Sequence, residues 1–106
     1  MAADIQTAEA SMMMCTLTNT QESNSEIQAM INEVRSKAEL AVGRNYSHYE
    51  ATQFATQLVN GVNYFVKVKT EENNYIHIKL HKVFGGDVTF TCLVDNKAKD
   101  DEILYF

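Results

Sequence analysis

Asn60-Gly61 stands between two segments of strand character, and this constrains the fold more than any other feature of the chain. Asparagine and glycine both tolerate positive φ, so the pair closes a tight hairpin whose twist suits the strands on either side. Beyond it Val62, Tyr64, Val66 and Val68 alternate with Asn63, Phe65, Lys67 and Lys69, the period-two pattern of a half-buried strand. The segment from Tyr46 to Val59 supplies the preceding strand. After a polar turn at 71–74, Ile76, Ile78 and Leu80 alternate with His77, Lys79 and His81, and this strand ends at Val83-Phe84-Gly85-Gly86-Asp87. A last strand spans Val88 to Val94. Such consecutive hairpins form an antiparallel meander.

One helix precedes the meander. Ile27, Met30, Ile31, Val34, Ala38 and Ala41 fall at helical spacing, Ser25 is placed as N-cap with Gln28 three residues on, and Gly43 supplies the stop. The expected helix runs from Glu26 to Val42. Residues 1–24 are polar apart from Met12-Met13-Met14 and show no sustained period, which predicts a flexible arm. The fold class is therefore α+β, one helix packed on a four- to five-stranded antiparallel sheet. The 106 residues suffice for one core, with 1–11 expected as a flexible extension and 12–106 as the domain.

A net charge of −5 with scattered basic residues argues against nucleic acid, which needs clustered Lys and Arg. No apolar run approaches the ~20 residues of a spanning helix. Met1 to Ala10 has neither the basic start nor the apolar stretch of a secretory signal, so a cytoplasmic protein is expected, with Cys15 and Cys92 as free thiols. Neither cysteine has a local catalytic signature. His77 and His81 share a strand face but stand roughly 13 Å apart, too far to hold one metal, and are expected to face solvent. Asp100-Asp101-Glu102 is expected as a solvated turn. The residues thus suggest no catalytic group, metal or cofactor.

The hairpin tip is unusual. Leu58 and Val59 are adjacent, so they point to opposite sides of a strand and at most one readily faces the core. Either both pack under the helix end, or the tip is an apolar element made to enter a partner's cleft.

Gln57-Leu58-Val59-Asn60-Gly61 resembles the Gln-Val-Val-Ala-Gly hairpin of cystatins, and Asn63-Tyr64-Phe65-Val66-Lys67-Val68 is close to the strand after that hairpin in the family. Met13-Met14-Cys15 resembles the N-terminal Met-Met-Cys of stefins, the signal-less branch of that superfamily, and 96–106 resembles their closing segment. The likeness covers roughly Met12 to Phe106. It implies a cystatin-like fold and a reversible, competitive, tight-binding inhibitor of papain-like cysteine proteases of the cathepsin type, not an enzyme. Three pieces would form the wedge: the trunk with Met13, Met14, Cys15 and Thr16; the first hairpin with Gln57, Leu58, Val59, Asn60 and Gly61; and the second loop with Val83, Phe84 and Gly85. Thr16 stands where stefins carry a glycine, and Val83-Phe84-Gly85-Gly86 where a Leu-Pro pair is frequent. Three rival readings stay open: a cystatin-fold binding or scaffold protein with weakened inhibition, a thiol redox protein, and a monomer that exchanges hairpins into a domain-swapped dimer.

Overall fold

Apolar residues at helical and then at strand spacing produce two packed layers. The computed structural model describes residues 17–106, so the extension 1–11 and Met13, Met14, Cys15 and Thr16 of the trunk lie outside the described residues. In chain order the elements are β1 (Gln21–Glu22), α1 (Ser25–Glu33), α2 (Arg35–Val42), β2 (Glu50–Leu58), β3 (Val62–Glu71), β4 (Asn74–Lys82) and β5 (Val88–Lys97). The strands form one antiparallel sheet in the order β1-β2-β3-β4-β5. This is the α+β arrangement of the cystatin-like fold expected from the sequence.

The helix begins one residue earlier than the capping-box reading placed it. Asn24 is the N-cap, its Oδ1 accepting from the Ile27 amide at 3.0 Å, and Ser25 is the first helical residue. Gln28 instead ties α1 to the start of β2. Its Nε2 donates to the Tyr49 carbonyl at 3.0 Å and its Oε1 accepts from the Ala51 amide at 2.8 Å. The single expected helix is divided at Val34, whose φ of −102° and ψ of 6° leave helical geometry although its side chain stays buried. Gly43, at φ 77°, ends α2 in the left-handed conformation, and its amide donates to the Glu39 carbonyl at 2.9 Å. β2 starts at Glu50 rather than near Tyr46, because Tyr46 and Tyr49 stack on each other and the Tyr49 hydroxyl donates to the Ile31 carbonyl at 2.8 Å.

Within the expected arm of residues 1–24, the described part, 17–24, is attached to the sheet. Gln21 and Glu22 pair with Phe54 and Gln53, and the Thr18 and Ser23 amides donate to the Thr56 and Thr52 carbonyls at 2.9 and 3.0 Å. These edge contacts are made by the main chain, which is why a sequence without apolar period still forms a strand.

Both faces of the sheet are covered. On one, Ile27, Met30, Ile31, Val34 and Ala38 pack against Phe54, Val66, Val68, Ile76, Ile78 and Leu80, the strand aliphatics among them having no exposed surface. Each such side chain contributes about 1.5–3 kcal/mol of burial. On the other, residues 98–106 form a strap over β3 and β4, and Ile103, Phe106, Leu17, Ala55 and Phe65 make a second apolar cluster. Phe106 meets the Phe65 ring edge-on at 5.4 Å.

The strap overturns one expectation: His77 does not face solvent but is 1% exposed. Asp100 and Glu102 are exposed as expected of a solvated turn, and Asp101 between them takes part in the strap's attachment. Lys67 is buried beneath it, its Nζ donating to the carbonyls of Lys99 and Asp101 at 2.5 Å each. Burial lowers the Lys67 pKa from its ordinary value, while Asp101 and Asp100 oppose that change. Lys79 Nζ donates to the main-chain oxygen of Phe106 at 2.9 Å and lies over the Tyr105 ring at 4.7 Å. His77 Nε2 has no hydrogen-bond partner among the described residues. Its pKa is pushed down to about 4, first by burial and then by Lys67 and Lys97, with Asp101 opposing.

Candidate functional site

One rung of the sheet carries both tips. Leu58 pairs with Val62, Val62 with Lys82, and Lys82 with Val88, so the β2–β3 and β4–β5 loops leave the same end of the sheet two strand spacings, roughly 10 Å, apart. The Leu58–Val62 pair leaves a loop of Val59, Asn60 and Gly61, one residue longer than an Asn-Gly turn. Asn60 and Gly61 do adopt positive φ, 50° and 115°. The register determines which tip residue faces outward: Leu58 is 65% exposed and Val59 half-buried.

In the second loop Phe84 is 75% exposed and Val83 about half exposed, while Gly85 turns the chain at φ 68°. The Gly86 amide donates to the Val83 carbonyl at 2.9 Å, closing the turn. Leu58, Val83 and Phe84 thus project from one end of the molecule. The remaining large exposed apolar side chains among the described residues, Leu40, Leu104 and Tyr105, belong to α2 and the strap.

Gly61 joins the two loops. A Cβ at that position would stand 2.4 Å from the Lys82 carbonyl oxygen and 3.0 Å from Val83 Cα, so the first hairpin rests against the main chain where the second begins. Glycine is required there by both conformation and space.

A polar chain braces the same region. Asn63 Nδ2 donates to Gln57 Oε1 at 2.8 Å, Asn63 Oδ1 meets His81 Nδ1 at 2.6 Å, and His81 Nε2 lies 3.1 Å from the Asn60 carbonyl oxygen, the imidazole tautomer deciding which of its nitrogens donates. Gln57 is only 2% exposed, which places it in the stem as a brace; the outward side chains are Leu58 and Asn60. Sequence reasoning missed Asn63 and His81. Their signal was the register, since Asn63 faces Gln57 on one side and His81 on the other.

The trunk residues lie outside the described region, but the chain joins them beside this site. The Thr18 amide pairs with Thr56, two residues from Leu58, and Leu17 packs half-buried in the strap cluster. Cys92 lies half-buried in β5. Among the described residues no group of three His, Cys, Asp or Glu side chains is arranged to hold a metal, and no helix is long and apolar enough to cross a membrane.

An antiparallel sheet wrapped over a helix, with an apolar hairpin tip braced against a second loop, defines a cystatin-type molecule. Comparison with known proteins agrees: the model of the cystatin domain family matches residues 15–84. The chain is 41% identical over 87 residues to cystatin-A2 of Dictyostelium discoideum, covering 82% of this chain and 90% of that one. Against cystatin-B of Bos taurus it is 35% identical over 98 residues, 89% of this chain and all of the other. Stefin-C of Bos taurus is 32% identical over 91 residues, 83% of this chain and 90% of that protein. The chain belongs to the cystatin family, with stefins among its relatives. That membership supports cysteine protease inhibition as its general function.

Proposed function

We propose that this protein is a reversible, competitive, tight-binding inhibitor of papain-like cysteine proteases of the cathepsin type, acting in the cytoplasm as a monomer. The observation that carries the reading is the emergence of Leu58, Val83 and Phe84 from one rung, with Gly61 seated on the Lys82 main chain. Apolar side chains on pre-formed hairpins lose little conformational entropy on docking, and their burial yields about 25 cal/mol per Å². The trunk, with Met13, Met14, Cys15 and Thr16, completes the wedge, while residues 1–11 form an extension to the 12–106 domain. The tips present no electrophile or metal ligand, so binding is steric and requires no covalent step.

Titration against papain, with a serine protease and a metalloprotease as controls, tests the reading. Papain activity should fall in proportion to added protein and recover on dilution, with both controls unaffected. Full papain activity under stoichiometric excess of the protein would refute it. Size-exclusion chromatography of the active fraction checks the monomer.

A further inference from the structure

We propose that Asn60 is a modification site: its side chain deamidates through attack by the Gly61 amide, converting the inhibitory tip into a charged and partly rearranged one. The functional consequence rests on the inhibitor reading above; the chemistry does not. Of all the asparagines in the chain only Asn60 precedes a glycine, so only there is the following amide nitrogen unshielded by a side chain. Asn60 is exposed, and its side chain makes no hydrogen bond among the described residues. Other asparagines are held: Asn24 caps α1, Asn63 bridges Gln57 and His81, and Asn74 donates to Thr70.

The nucleophile is favoured by its surroundings. The Gly61 amide has no backbone acceptor among the described residues, so losing its proton breaks no main-chain hydrogen bond, while Gly61 itself is buried beside the exposed Asn60. Loss of that proton places negative charge on the Asn60 carbonyl oxygen, the atom 3.1 Å from His81 Nε2, which donates to it in the tautomer that carries its proton there. A donor aimed at developing oxyanion charge lowers the barrier to forming it. The attack is intramolecular, so the reacting groups are already held together.

The step balances without an outside oxidant or reductant. The Gly61 nitrogen gives up its proton and bonds to Asn60 Cγ; the Cγ–Nδ2 bond breaks, and the amine leaves with a proton as ammonia. Water then opens the five-membered imide. Cleavage at Cγ leaves an aspartate at position 60. Cleavage at the main-chain carbonyl leaves an isoaspartate, in which the chain runs through the former side chain and gains a methylene. Either product adds a negative charge beside the exposed Leu58. The isoaspartate also displaces Gly61 from its seat against Lys82, where there is no room for an additional atom.

The test is to age the full chain at mildly alkaline pH and body temperature, map peptides by mass spectrometry, and label isoaspartate with an isoaspartyl methyltransferase. Asn60 should gain one mass unit more than an order of magnitude faster than any other asparagine. Asn60→Gln should abolish the label, and His81→Ala should slow its appearance. Aged protein, separated by charge, should show an inhibition constant for papain raised by about tenfold, while equally aged Asn60→Ala keeps its initial value. Conversion at Asn60 no faster than at the other asparagines, or only after unfolding, would overturn the proposal. Modified protein that inhibits as well as fresh protein would overturn its functional half. If even fresh protein leaves papain untouched, the inhibitor reading fails, and the mass and methylation readouts still decide the chemistry.

Discussion

Replacing Gly61 by alanine tests whether the two loops form one unit. The new methyl group meets two difficulties with separate magnitudes. At φ 115° a side chain is strained, which costs about 1–3 kcal/mol. The Cβ would also lie 2.4 Å from the Lys82 carbonyl oxygen and 3.0 Å from Val83 Cα, both main-chain atoms that cannot rotate away. Overpacking of this kind typically costs about 1–3 kcal/mol. The whole penalty is therefore ~2–6 kcal/mol, which the molecule can relieve by letting the first hairpin swing away from the second. Inhibition should then fall more than stability does, because the main core lies toward the middle of the strands while both tips move. Gly85→Ala is the internal control: its φ of 68° has the same sign, but nothing lies within 4 Å of the added carbon. It should cost about 1–2 kcal/mol from conformation alone. Urea unfolding of both variants, with papain inhibition constants measured on the same preparations, separates the two contributions. Equal effects of Gly61→Ala and Gly85→Ala on stability and on inhibition would refute the argument that Lys82 is the constraint.

Leu58→Ala and Phe84→Ala should each leave stability within about 0.5 kcal/mol, as expected for exposed positions, and should raise the dissociation rate from papain; stopped-flow displacement reads this directly. His77→Gln should flatten the acid side of the stability profile. The unfolded chain takes up this proton near 6.5 and the folded chain only near 4, so wild-type stability falls as pH drops through that window, by up to about 3 kcal/mol. Denaturation series at pH values spanning the window, on both proteins, check the difference. Deleting residues 1–11 should change papain affinity little, whereas deleting 1–17 should accelerate dissociation, and Thr16→Gly should slow it if backbone approach is limiting; identical off-rates for all forms would remove the trunk from the wedge.

The elements with strong period were legible in the sequence. Ile27 to Ala38 and Val62 to Leu80 carry apolar residues at intervals that only a helix and strands can bury together, and Asn60-Gly61 and Gly85-Gly86 mark the tips. β1 was not legible, because two polar residues on an edge pair through the main chain and leave no side-chain pattern. The strap was missed for a related reason: 98–106 has no regular period, and Lys67 and His77 read as solvent-facing because they alternate with aliphatics. A lysine can lay its stem along apolar surface and still satisfy its ammonium on carbonyl oxygens, which hydropathy does not register. In the site, the turn role of Gly61 followed from local pattern, as did the rule that Leu58 and Val59 cannot both readily face the core; that Leu58 is the outward one depends on the register. The Asn63–His81 brace did not, since it depends on how two hairpins align with each other.

The strap's anchors have a consequence for how the sequence can drift. Lys67 grips the carbonyls of Lys99 and Asp101, and Lys79 grips a main-chain oxygen of Phe106. Every acceptor belongs to the backbone, so the gripped residues can change identity without losing these attachments. Substitution should therefore be tolerated at Lys99 and Leu104, where the side chain points outward, and resisted at Lys67, Lys79 and Ile103, whose side chains supply the grip or fill the cluster. Among variants of this chain, the two strand lysines should stay constant while the outward residues of the strap they hold vary.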